Sequence, residues 1–115
     1  MDENRIEKMG DLKIADDVVV AIAGLAATEV KGVSSLGNGI THEMIVRSGE
    51  KSLSKAIHME IPEDGIHLKL SLILDGTVSV PEVSAKVEER VTNTIESMTG
   101  MNTASLEITI AGVKI

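Results

Sequence analysis

The sequence predicts an α+β fold: a two-layer sandwich with a mixed sheet of about five short strands and two helices on one face, in the order β-α-β-β-β-α-β. Three observations carry this. Ile66, Leu68, Leu70, Leu72 and Leu74 alternate with His67, Lys69, Ser71 and Ile73, the period of a strand with one buried face. Val83, Val87, Val91, Thr94, Ile95 and Met98 recur at helical spacing. The chain has 115 residues, enough for one domain and too few for two ordinary ones.

The elements follow in order. Residues 1–10 are mixed in charge and aperiodic, a flexible lead-in, and a single domain is expected over 11–115. Asp11–Ala15 places Leu12 and Ile14 on one side of a short strand. Asp16 and Asp17 then suit the positive end of a helix that runs to about Val30, with Gly32 as its stop. Val18, Val19, Val20, Ile22, Leu25 and Ala26 girdle most of this helix, where a surface helix would show one stripe. Two readings stay open. The helix is sandwiched inside its own domain, or Val18, Val19, Val20 and Ile22 form an interaction surface for another subunit.

Gly32–Leu36 reads as a short strand. Residues 37–55 are the least regular part, because Gly37-Asn38-Gly39 opens them and Gly49 and three serines oppose a stable helix. Arg47, Lys51 and Lys55 lie four apart and are taken as solvated surface in preference to an anion site. Ile57, Met59 and Ile61 alternate up to the turn residues Pro62-Glu63-Asp64-Gly65. Strand pairing must keep both apolar sets on one face, so paired residue numbers must sum to an odd number. A two-residue loop or a four-residue loop with Ile61 opposite Ile66 satisfies this. Ser79 and Glu82 have capping-box spacing, and Pro81 falls in the first turn of a helix that Gly100 ends. Glu82, Lys86 and Arg90 read as solvated i,i+4 pairs on its far side. Leu106, Ile108 and Ile110 alternate as the last strand.

Composition excludes several functions. Phe, Tyr, Trp and Cys are absent, which removes base stacking, disulfides and thiolate metal sites. A net charge of -7 disfavours nucleic acid and anionic lipid. The longest uncharged apolar stretch, Val18 to Ala27, is ten residues. A membrane-spanning helix needs about 20, so no direct membrane insertion is expected, and the charged start carries no visible export signal.

No catalytic constellation is legible. After Gly37-Asn38-Gly39, position 42 is His42 where a dinucleotide fingerprint needs glycine. His42-Glu43 would need a second histidine where Val46 stands. With the four-residue loop, His67 faces Glu60 and His58 faces Lys69, a poor environment for a metal. The adjacent carboxylates Asp16-Asp17 and Glu88-Glu89 diverge by about 100° around a helix axis, so neither pair converges on one atom. The expectation is no enzyme, no cofactor and no metal.

Several segments together resemble one family. Ile14 with Asp16-Asp17-Val18, Ile22-Ala23 and Glu29-Val30-Lys31-Gly32-Val33 are similar to the first half of the alkaline shock protein family, the envelope stress response family of Gram-positive bacteria. Leu53-Ser54-Lys55-Ala56 resembles its connector, which more often has glycine where Ala56 stands. Gly76 with Val80-Pro81-Glu82-Val83 resembles its strand-to-helix junction, and Glu96-Ser97-Met98-Thr99-Gly100-Met101 its signature at the end of the second helix. The closing Leu106–Val113 strand matches too, so the resemblance covers roughly 11–113. Leu74-Asp75-Gly76 departs from the acidic-aromatic-glycine triplet frequent there.

The resemblance implies a non-enzymatic interaction or scaffold protein, cytoplasmic, self-associating as a homo-oligomer or docked on an integral-membrane anchoring protein. The alternative is a small-molecule-binding domain or enzyme that uses the 37–55 loop as a lid. Because no cysteine and no histidine pair at ligand spacing is present, the melting temperature is expected to be the same with and without a chelator. A large chelator-induced fall would refute the absence of a structural metal.

Overall fold

The computed structural model describes residues 18–48, 53 and 56–115. The lead-in 1–10, the strand expected at Asp11–Ala15, the pair Asp16-Asp17, and Lys51 and Lys55 of the basic row lie outside the described residues. A first helix, α1, occupies 18–29. Then come β1 (Val33–Leu36), α2 (His42–Ser48), β2 (Ile57–Glu60), β3 (Ile66–Asp75), α3 (Val80–Thr99) and β4 (Thr103–Lys114). The arrangement is the expected mixed α+β one. β1 and β2 pair antiparallel with β3, and β4 pairs with it in parallel.

β3 is the centre because it is the longest run of strict alternation and because both its edges are used. Ile66, Leu68, Leu70, Leu72 and Leu74 are buried, while Lys69 is exposed on the other face. β1 and β2 share one edge of β3 in succession: Leu36 faces Leu72, and Ile57 faces Leu70. The handover occurs at Ser71. Its N–H donates to Ala56 O at 2.9 Å, and its carbonyl accepts from Gly37 N–H at 2.7 Å. Gly37 must be glycine for a steric reason, since a Cβ there would lie 2.7 Å from Ser71 Cβ and collide with Ser71 Oγ.

The hairpin takes the four-residue-loop register, with Glu60 opposite His67 and His58 opposite Lys69. Gly65 N–H closes its turn on Pro62 O at 3.3 Å. Ile57 is buried, and Met59 and Ile61 are partly buried against the same core.

The helices cover the leucine face. Val19, Ala23, Ala26, Ala27 and Val30 of α1 and the following turn join Val83, Val87, Val91 and Ile95 of α3 in one core with β3. α3 begins as expected: Ser79 Oγ accepts from Glu82 N–H at 3.5 Å, and Pro81 sits in the first turn. Gly32 (φ 105°) and Gly100 (φ 73°) take the positive backbone angles expected at the two helix ends.

Three expectations need correction. Part of 37–55 is helical after all, as α2. Thr41 Oγ1 accepts from Met44 N–H at 3.3 Å and caps it, Glu43 and Arg47 pair at 3.3 Å, and Ile45 is buried. A methyl at Gly24 would stand 3.2 Å from Ile45 Cδ1, so α2 packs directly on α1, and this burial outweighs weak propensity. Met98, assigned to the buried stripe of α3, is 67% exposed, since the last turn overhangs the core. Arg90 does not spend its charge within α3. Its guanidinium donates to Glu29 at the end of α1 at 3.0 Å, a half-exposed bridge worth about 0–1 kcal/mol.

Leu70→Ala is expected to cost about 2–5 kcal/mol in chemical denaturation, and Lys69→Ala under about 0.5 kcal/mol; equal costs would contradict the register. Gly37→Ala is expected to lose about 1–3 kcal/mol by overpacking against Ser71. A Gly37→Ala/Ser71→Gly double variant is expected to recover part of that loss, a non-additivity read from the same curves.

Candidate functional site

The face of the sheet opposite the helices carries the polar set. Successive rows across β2, β3 and β4 are Glu60, His67 and Ser105, then His58, Lys69 and Glu107. These six side chains line a cleft of about 190 Å³. Strand parity puts them there: each is one residue away from a leucine or isoleucine that is buried in the core or partly buried against it.

One group within the cleft is organised. His67 Nδ1 lies 2.7 Å from Ser105 Oγ. Its Nε2 lies 3.0 and 3.1 Å from the two oxygens of Asp64. Asp64 reaches the ring from the hairpin turn, three residues earlier, and Ser105 from β4, 38 residues later. The turn is tied to β4: Asn102 Nδ2 donates to Asp64 O at 3.3 Å, and Ile66 N–H donates to Asn102 O at 2.8 Å. The start of β4 is held in turn by Glu96, whose Oε2 accepts from Thr103 N–H at 2.9 Å. By contrast His58 and Glu60 stand 4.0 Å apart and are both well exposed. Among the described residues, no three His, Cys, Asp or Glu side chains are grouped as a metal site.

His67 stands opposite Glu60, as in one of the two registers open from the sequence, but its actual partners were not among the expectations. The Asp64–His67 spacing across a turn was a readable signal. Ser105 was not, because its place depends on the parallel register of β3 and β4, set by a bulge between Ile66 and His67.

The apolar candidates divide. Val19 is fully buried and Ile22 nearly so, inside their own domain; Val18 is 45% exposed and Val20 is half-buried, so these two reach the surface. Of the segment assigned as a lid, Gly39 and Thr41 border a cleft of about 400 Å³ with Ile73, Gly112 and Val113. Among the described residues no helix is long and apolar enough to cross a membrane.

The model of the alkaline shock protein 23 family, described as having a cell envelope-related function, matches residues 4–115. The chain belongs to this family. It is 30% identical to YqhY of Bacillus subtilis over 106 residues, covering 92% of this chain and 78% of that protein. It is 29% identical to Spy1535 of Streptococcus pyogenes over 108 residues, 93% of this chain and 81% of the relative. It is 23% identical to YloU of Bacillus subtilis over 110 residues, 94% and 92% of the two chains. No solved structure matches significantly.

Membership gives the resembling segments physical roles in this alkaline shock protein relative. Glu96 to Met101 ends α3 and turns the chain into β4: Gly100 N–H donates to Glu96 O at 2.9 Å, and Thr99 Oγ1 accepts from Met101 N–H at 3.0 Å. Gly76 N–H donates to Lys114 O at 2.8 Å, locking the β3–α3 junction to the far end of β4.

Proposed function

We propose that the chain acts at the cell envelope by contact, self-associating or docking on a membrane-anchored partner, and not by turning over a substrate. The observation that carries this reading is the outer edge of β4. Among the described residues nothing pairs with it, and β4 is 12 residues long. Its register against β3 is uninterrupted from Ser105 to Ile110, between two bulges. That straight stretch has one charged side chain, Glu107, and offers unpaired main-chain groups beside the half-buried Leu106, Ile108 and Ile110. An added strand from a second copy or a partner satisfies those groups. Val18 and Val20 of α1 supply a further apolar contact.

A protein partner, and not lipid, suits the charge, since a chain of net -7 is repelled by an anionic surface. The cleft beside Gly39 and Thr41 favours the second reading, a bound small molecule; native mass spectrometry of protein from its own cell distinguishes the two by the presence of a retained ligand.

Purified protein is expected to ignore anionic vesicles yet sediment with membranes from the native cell. Thr109→Lys, which puts a charge on the exposed face of the edge strand, and Val20→Glu are each expected to release it to the soluble fraction with the far-ultraviolet dichroism unchanged. Tight vesicle binding by the pure protein, or retention of both variants on membranes, refutes the proposal.

A further inference from the structure

We infer that Ser105 is a nucleophilic serine, an acyl-acceptor site served by His67 and positioned by Asp64. The inference goes beyond the contact function and does not depend on it.

Proton bookkeeping leads there. An ionised Asp64 has no proton to give, so the hydrogen bonds at 3.0 and 3.1 Å require His67 to carry its hydrogen on Nε2. In the neutral ring Nδ1 is then a bare acceptor, and the contact at 2.7 Å must be donated by the Ser105 hydroxyl. A serine whose proton already points at an imidazole lone pair, with the ring's other nitrogen held by a carboxylate, is the arrangement that activates a hydroxyl for attack. Here the ring is used the other way round from the usual triad, with Nδ1 as the base. Three separate segments supply the members: the hairpin turn, β3 and β4. The turn-to-β4 ties through Asn102 hold that geometry.

Access suits an acyl donor. Ser105 is exposed and lines the cleft of about 190 Å³ with His67 and Lys69, and Lys69 is the single Lys or Arg among the residues lining that cleft. The substrate class is an activated ester. Ser105 Oγ forms a bond to the acyl carbon, and the bond from that carbon to the leaving oxygen breaks. The Oγ proton passes to His67 Nδ1 and then to the departing oxygen. The product is the acylated protein. An open cleft that does not exclude water supports single acylation of Ser105, not rapid turnover.

The site also touches the edge described above, because Ser105 begins the straight stretch of β4. An acyl group there adds apolar bulk at the head of the exposed edge.

The test uses p-nitrophenyl acetate on the full chain, with intact mass and peptide mapping as readouts. Ser105 is expected to be acetylated ahead of every other serine, and Ser105→Ala to remove that label alone. His67→Ala is expected to slow acetylation of Ser105 by about 100-fold, the scale of general-base assistance, with recovery on adding imidazole. Asp64→Asn is expected to slow it about tenfold, and Asp64→Glu to restore it, at matched melting temperatures; a merely structural role would not separate these two. Acetylation of Ser105 no faster than that of other serines, or a rate unchanged in both Asp64→Asn and His67→Ala, overturns the inference.

Discussion

Every other strand of the sheet hydrogen-bonds to β3, so the ten residues from Ile66 to Asp75 hold the molecule together in two senses. Their even-numbered side chains are the floor of the core, and their backbone is the partner that β1, β2 and β4 share. Ser71 is the point where these duties meet. Its amide serves the β2 side and its carbonyl the β1 side, and the fit is so close that Gly37 has no room for a methyl group. A core without aromatic rings depends on such close approach. Val, Ile, Leu and Ala fill space in small increments, so α1 can lie against α2 at Gly24 and against the sheet at the same time.

Two of the segments that resemble the alkaline shock protein family, Gly76 with Val80–Val83 and Glu96–Met101, lie at junctions. Glu96, Thr99 and Gly100 convert the end of α3 into the start of β4; Gly76 and Ser79 convert the end of β3 into the start of α3. These contacts set where β4 lies along β3, and that register in turn brings Ser105 to His67. The chemistry-bearing face and the open strand edge are therefore both products of how the chain is turned at two corners.

Much of this was legible in the residues. Alternation with a parity rule narrowed the hairpin to two registers, because slipping by one would put leucines in water, and the structure takes the four-residue loop. Capping chemistry gave α3, because Ser79, Pro81 and Gly100 each have a local physical job. What was not legible depended on contacts distant in the chain. α2 forms because Ile45 finds α1, against the local signal of serines and glycine. Met98 carries the right spacing for burial but lies past the end of the core beneath it. The girdle of α1 was seen as a whole, but only the structure divides it into the enclosed Val19 and Ile22 and the accessible Val18 and Val20. The Asp64–His67–Ser105 group was hidden for the same reason, since a parallel pairing 38 residues apart leaves no mark on either segment alone.

The parallel join of β3 to β4 also constrains the order of assembly during synthesis. Antiparallel neighbours β1 and β2 precede β3 in the chain, so three strands and α1 are available as soon as β3 has emerged. β4 cannot dock until the whole crossover through α3 has been made, because parallel neighbours need a long connection. Until then one full edge of β3 stands open, its leucine face covered on one side only. The long-range contacts that close it are the slow kind. A nascent chain paused within α3 therefore presents a sticky half-sheet, and the time spent at that length is a natural point for chaperone capture or for misassembly with a neighbouring nascent chain.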